Sequence, residues 1–438
     1  MVKILSADFH SSLLRNSLIQ LTWWIVFFPG FFSGDSFSAI QMAKTGELGN
    51  SFTASWALYV RIFSLHGHAI PLLTLINGMI LVYAVTRLGY AVFNGRAAAI
   101  STFLMTLTPV VSGMGITLWH DILMTAGIIL LTSFFIGIHK DFGNTKKLLI
   151  LEMLPGAILS SFRPNGLPTI VVFAFVYGVF VLTKHRTHFF RVVKMLISVI
   201  LITTSITIVN SSLILGLSPI NKYFAQEWMR NDISCFADSD SGKGFVERNI
   251  PGIGSTNSWR SSNACSFLNK AKVSEEDKVA AEKYISSAWF TLFTQNPSFV
   301  IGVHAKRNAY LLPLPIFGVP TTPFLHSTIE VKSEEIVWAF PSIAEKARFF
   351  MRAWNAGRGF IAWAGLWALI MVGLSVFAGR KNLAPLISMS VALIALIFIV
   401  APIPDGRYAL FVLIAGQLVF VGHIVEWAQT GSNRRPTD

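Results

Sequence analysis

Pro29-Gly30-Phe31-Phe32-Ser33-Gly34-Asp35-Ser36 follows directly on the apolar stretch Ile19–Phe28. The pair reads as a first membrane helix with a carboxylate at its far mouth. Lys3 and Arg15 precede it, and cations gather on the cytoplasmic side of a membrane. Asp35 is therefore expected on the exported side. A carboxylate near hydrocarbon is costly, so it more often has a chemical task than a structural one. The alternative is that Asp35 caps a helix starting at Ser36, since Asp is a favoured N-cap. No A-x-A-like site follows Ile19–Phe28, so the segment reads as an uncleaved helix rather than a signal peptide.

The rest of the chain extends this reading. It is 53% hydrophobic and 13% charged, with 36 Phe and 12 Trp among 438 residues. Soluble domains carry about twice that charged fraction. Apolar runs of about 16–23 residues recur, and about 20 residues cross a bilayer as a helix. The runs are continuous rather than alternating, which excludes a barrel and predicts helices. They predict an all-α polytopic membrane protein of about ten transmembrane helices. The expected spans are 16–32, 70–87, 97–114, 122–138, 148–163, 167–183, 195–217, 360–378, 383–401 and 409–427.

Charge tests the arrangement. With the N-terminus inside, the cytoplasmic connections hold Arg87 and Arg96, then Lys140, Lys146 and Lys147. Lys184, Arg186, Arg191 and Lys194 follow, then Arg380 and Lys381, and the tail carries Arg434 and Arg435. The short exported loops carry only Lys44, Arg61 and Arg407. Much of the net charge of +13 thus faces anionic lipid and implies no nucleic-acid partner. Both termini are expected in the cytoplasm.

Three pieces result. Residues 1–217 form a membrane module of seven spans, 218–359 an exported, mostly helical domain, and 360–438 three more spans with a cytoplasmic tail. In the first exported loop, 33–69, Phe37, Ile40 and Ala43 fall at helical spacing, as do Leu58, Ile62 and Leu65. Two short amphipathic helices lying on the membrane fit that pattern, separated by Gly46 and Gly49-Asn50. In the exported domain, Ser274-Glu275-Glu276-Asp277 reads as a capping-box-like helix start, with the helix ending at Asn296-Pro297 and another over Ser298–Leu311. Segments 236–264 and 313–330 read as loops. The only cysteines, Cys235 and Cys265, share this domain. In an oxidising compartment they point to one disulfide closing a loop of about 30 residues, worth roughly 3–4 kcal/mol in the chain-entropy model. Two unpaired thiols are the alternative.

Ionisable residues cluster at the exported ends of the spans. Asp35 follows the first, and Glu47 lies in the same loop. Trp119-His120-Asp121 precedes the fourth, Arg163-Pro164-Asn165-Gly166 follows the fifth, and Asp405-Gly406-Arg407-Tyr408 precedes the last. Carboxylates and guanidiniums on one rim suit an anionic head group and acid–base chemistry. Each also has a plainer reading. His120-Asp121 serves equally as a helix cap, Arg163 as a snorkelling cation, and Arg407 as a partner of Asp405. No Walker loop, G-x-G-x-x-G, H-E-x-x-H or G-x-S-x-G appears.

Pro29–Gln41, Leu118-Trp119-His120-Asp121-Ile122, Phe162-Arg163-Pro164-Asn165-Gly166 and Arg407-Tyr408 together resemble the polytopic GT-C glycosyltransferases, which use polyprenyl-phosphate sugars. His120 stands where Lys is commoner in the family's W-K-D element, and the adjacent acidic pair of several members is missing beside Asp35. The resemblance implies an inverting transfer of a hexose, glucose favoured, to a lipid-linked or O-antigen glycan on the periplasmic side of a bacterial inner membrane. It implies Asp35 as general base, with His120, Asp121 and Glu47 as supporting or acceptor-side groups. Arg163, Asn165, Arg407 and Tyr408 would hold the donor phosphate. A divalent metal, Mg or Mn, is an open expectation. Length and a long late exported domain resemble the serotype-modifying glucosyltransferases of lipopolysaccharide. A flippase or transporter of a lipid-linked saccharide, or an O-antigen polymerase or ligase, would use a similar rim. A transporter more often shows internal repeats and mid-membrane charge, whereas the charges here lie at span ends.

Overall fold

A computed structural model describes residues 7–46, 53–140, 148–184, 189–209, 226–242, 244–251, 275–312, 339–346, 363–379, 381–400 and 406–432. Among them the chain is helical, and its one β-type contact is an isolated bridge. The helices are α1 (Ala7–Val26), α2 (Gly34–Thr45), α3 (Ala54–Phe63), α4 (Ile70–Val92), α5 (Gly95–Leu107), α6 (His120–Lys140), α7 (Leu154–Ser160), α8 (Gly166–Lys184) and α9 (Phe189–Val209). Then come α10 (Glu227–Asp238), α11 (Phe245–Asn249), α12 (Glu275–Gln295), α13 (Pro297–Arg307), α14 (Ala364–Phe377), α15 (Ala384–Val400) and α16 (Leu410–Ser432). A π-helical turn, Leu149–Met153, leads into α7.

Every apolar run of the sequence overlaps a helix. Five helical stretches among the described residues are long and apolar enough to cross a membrane: Ile70–Val92, His120–Ile138, Gly166–Lys184, Phe189–Val209 and Arg407–Thr430. The stretches 149–160, 364–377 and 384–400 are apolar but shorter. The most buried is α6, which packs on α4 and α7 at the centre of the bundle. The bundle surface carries large apolar side chains such as Phe175, Phe190 and Phe377. Single exposed apolar residues are ordinary on soluble proteins, but apolar faces on this scale suit contact with lipid.

The first helix shows the same inversion. Ser12, Asn16 and Gln20, spaced four apart on one face, are buried, while Leu14, Leu18 and Ile25 point outward. Asn16 Nδ2 donates to Thr86 Oγ1 at 3.1 Å, and Gln20 Nε2 to the Ser112 carbonyl at 3.3 Å. Buried polar groups need partners, and these bonds fix α1 against α4 and the Pro109–Gly113 turn.

Both short amphipathic helices form. Leu58 and Ile62 are exposed along α3, while Trp56, Tyr59 and Val60 are buried; the helix ends at Phe63, so Leu65, also exposed, falls beyond it. Gly46 ends α2 at φ +76°, a left-handed conformation that favours glycine. The cap alternative for Asp35 is not adopted. Helix α2 starts two residues earlier than expected, at Gly34, and its N-cap is Ser33, whose N–H donates to Ser36 Oγ at 3.0 Å. Asp35 lies in the first turn, where a carboxylate is favoured by the helix dipole.

Helices α10–α13 build a second core around Ile233, Phe236, Phe245, Ile285 and Leu292. Helix α12 runs to Gln295, as read from sequence; Ser274 lies outside the described residues. Part of the expected 236–264 loop is instead helical, at Phe245–Asn249, where Phe245 and Val246 enter this core. Cys235 is disulfide-bonded; Cys265 lies outside the described residues. Arg87 also departs from its reading as a lipid-facing cation. It is buried within α4 and ion-paired to the fully buried Glu152, because a guanidinium inside an apolar bundle needs a counter-charge.

Candidate active site

The site rests on two loops joined edge to edge. Phe31 N–H donates to the Ile116 carbonyl and Leu118 N–H to the Phe31 carbonyl, each at 3.1 Å. Gly30 makes this approach feasible. It has φ +122°, and a Cβ there would lie 2.7 Å from the Ile116 carbonyl oxygen and 2.9 Å from Thr74. Thr74 Oγ1 donates to the Pro29 carbonyl at 2.7 Å and Ser36 Oγ to the Leu118 carbonyl at 2.8 Å. Trp119 Nε1 donates to Ser33 Oγ at 2.6 Å. The loop after α1 and the loop before α6 thus form one platform bearing Asp35, Trp119, His120 and Asp121.

The other rim residues fold onto it. Arg407, in the turn that opens α16, donates through Nη1 to Asp35 Oδ2 at 2.9 Å. Its guanidinium lies 5.1 Å from the Trp119 ring centre and 5.3 Å from that of Tyr408. Arg163 is ion-paired to Asp121, and its guanidinium sits 4.4 Å from the Tyr408 ring centre. Tyr408 therefore carries both cations on its ring, a favourable arrangement for guanidiniums. His120 Nε2 lies 3.9 Å from Asp121 Oδ2, beyond hydrogen-bond reach, and its ring faces Trp56 at 6.1 Å. Thr53 Oγ1 donates to the Phe162 carbonyl at 2.7 Å, tying α3 to the Arg163 turn.

The two acid–arginine pairs differ in access. The Asp35 side chain is 47% exposed beside an Arg407 at 13%. Asp121 is 1% exposed and Arg163 12%. One carboxylate is therefore open to a reactant and the other is closed. Asp405, the alternative partner considered for Arg407, lies outside the described residues, as does Glu47. Asn165 contributes its backbone carbonyl, which accepts from Thr169 N and Oγ1 and starts α8. Among the described residues no three His, Cys, Asp or Glu side chains lie close enough to hold a metal ion, so no step is assigned to Mg or Mn.

A groove of about 650 Å³ lies between α4, α6 and the α7 segment. Its lining is apolar, with Leu75, Ile76, Met79, Leu154, Ile158 and Leu159 among it. Ile76 and Leu159 also pack on the cluster of Trp56, Tyr59, Leu118 and Phe162 that underlies the platform, so the groove leads toward the charged rim.

Motif reading singled out most of the rim but missed its supports. Ser33 and Trp56 lie in stretches the sequence reading singled out, but neither bears an ionisable group and nothing local signals that they support the rim. Nor did sequence reading find Asp232, whose carboxylate meets His304 and Arg307 in the second core. No protein-family model, curated protein or solved structure matches the chain.

Proposed function

We propose that this chain is a membrane glycosyltransferase of GT-C type, with about ten spans, cytoplasmic termini and its rim on the exported face. It moves a hexose, glucose favoured, from a polyprenyl-phosphate carrier to a lipid-linked or O-antigen glycan. One observation carries the reading: of the two rim carboxylates among the described residues, Asp35 is the open one, and it sits beside a cation.

The chemistry follows from that geometry. A sugar hydroxyl is a weak nucleophile, and a positioned base assists it. Asp35 takes the hydroxyl proton as the acceptor oxygen bonds to the anomeric carbon. The bond from that carbon to the phosphate oxygen breaks on the opposite face, and the electron pair leaves with polyprenyl phosphate. The configuration inverts. Arg407 exchanges Asp35 for the phosphate, which frees the base and meets the charge that develops on the leaving group. Arg163, oriented by Asp121 and Tyr408, adds a second cation. The apolar groove suits the prenyl chain by its lining and by its approach to the rim.

The test is direct. Purified protein in nanodiscs is incubated with polyprenyl-phosphate glucose and a lipid-linked glycan, and the products are read by mass spectrometry. A glycan heavier by one hexose is expected. An unchanged glycan across a panel of hexoses and acceptors, from folded protein, rejects the reading.

A further inference from the structure

A second buried charge cluster lies apart from the rim. Asp232 of α10 is fully buried and meets three side-chain nitrogens. Trp289 Nε1 of α12 reaches Oδ2 at 2.9 Å, and Arg307 Nη2 of α13 reaches Oδ1 at 2.7 Å. His304 Nε2, also of α13, lies 2.7 Å from Oδ2. One carboxylate thus joins three helices.

The cluster extends beyond its own core. His304 Nδ1 lies 2.7 Å from the carbonyl of Phe398, near the end of α15. A carbonyl oxygen only accepts, so Nδ1 carries the proton and donates it. Asn308 Nδ2 donates to the same oxygen at 3.3 Å. The last carbonyls of a helix have no partner within it, and this one is capped by side chains from a different core. Phe398 lies nine positions before Arg407. The next described residues open the turn that holds Arg407 and Tyr408. Helix α15 also packs directly against that turn, so a grip on its end bears on where Arg407 sits.

We infer that His304, oriented by Asp232, is a positioning residue: it couples helices α10–α13 to the placement of Arg407 and Tyr408. A histidine held by a carboxylate on one nitrogen presents the other in a fixed direction. The coupling path runs by hydrogen bonds from Asp232 through His304 to Phe398, and then by the packing of α15 against the Gly406–Ala409 turn. Its catalytic part rests on the glycosyltransferase reading; its geometric part stands without it.

Two substitutions separate the contacts. In His304→Asn the amide nitrogen takes the place of Nδ1 and keeps the donor to Phe398. In His304→Gln the amide reaches the Nε2 position and gives that donor up. Each is combined with Arg407→Cys in the full-length protein in membranes, and labelling by a membrane-impermeant maleimide is timed. The Gln background is expected to label several-fold faster than the native His304 background, and the Asn background close to it. Equal rates in all three overturn the inference whether or not the protein transfers sugar. With Arg407 intact and transfer established, His304→Gln should lower kcat on the order of 10–100-fold, as a misplacement of about 1 Å does. Donor KM should rise in the same direction as in Arg407→Ala, and His304→Asn should recover most of both losses. Wild-type kcat in His304→Gln, with transfer established, rejects the catalytic part alone. If His304→Gln does not accumulate, Asn308→Ala removes the other donor to Phe398. It should accelerate labelling in the same direction, and native-like labelling there overturns the inference.

Discussion

Replacing Asp35 with Asn separates a chemical role from a structural one. The side chain is about half exposed, and its ion-pair partner Arg407 stays flanked by the Trp119 and Tyr408 rings. Solvent-exposed ion pairs contribute about 0.2–1 kcal/mol, and Ser33 rather than Asp35 caps the helix. Loss of the charge should therefore cost the fold at most about 1 kcal/mol. Loss of a general base costs about 10²–10⁴ in rate, which at 1.36 kcal/mol per tenfold is about 3–5 kcal/mol of barrier. The opposite balance holds at Asp121, which is 1% exposed and bound to Arg163. Removing one partner of a buried pair costs about 3–5 kcal/mol of stability, so Asp121→Asn should unfold earlier and lose turnover with its fold. The assay pairs thermal unfolding in detergent with initial transfer rates for both variants. Near-native turnover in Asp35→Asn refutes the base assignment. Equal loss of unfolding temperature in both variants refutes the contrast in burial on which the reasoning stands.

Four further outcomes follow. Arg407→Ala and Arg163→Ala should raise donor KM about tenfold or more, and Lys should restore only part, since it keeps the charge but not the fork; unchanged donor kinetics in both Ala variants excludes phosphate contact. In Asp232 burial opposes ionisation, but Arg307 and His304 outweigh it and hold the carboxyl below its ordinary value. The stability it contributes is therefore complete above that ordinary value and is lost as pH falls through the depressed one; the advantage of the native protein over Asp232→Asn in thermal unfolding should be constant near neutrality and shrink below about pH 4. Peptide mapping without reduction should link Cys235 to Cys265, and free thiols at both would exclude the bond. Reporter fusions after Lys194 and Lys381 should register cytoplasm, and one near Ser274 export; an exported signal at Lys194 would invert the assignment of sides.

The helical layout was legible because apolar runs are long and burial in lipid imposes helices on them. The two short helices were legible because Phe37, Ile40 and Ala43, and then Leu58 and Ile62, recur at helical spacing. The rim was legible only as separate motifs. Asp35 and Arg407 are 372 positions apart, and nothing local pairs them rather than Arg407 with Asp405. Arg87 was misread because a cation near the end of an apolar run looks like a marker of sidedness; its acid, Glu152, lies in a different run, and only packing brings them together. Asp232, His304 and Arg307 were illegible for the same reason. Three polar residues in a polar segment give no sign that they are buried against one another.

The seam between Phe31 and the Ile116–Leu118 strand of backbone bears on how such a protein can be re-engineered. The two loops come from points far apart in the chain, yet they share hydrogen bonds, a glycine that only fits against its opposite number, and a tryptophan held by the other loop's serine. A chimera that imports 29–36 from another protein without 116–121 would carry a mismatched edge into the middle of the rim. The heritable unit here is the stitched pair, and recombination would have to move both halves together to keep the edge intact.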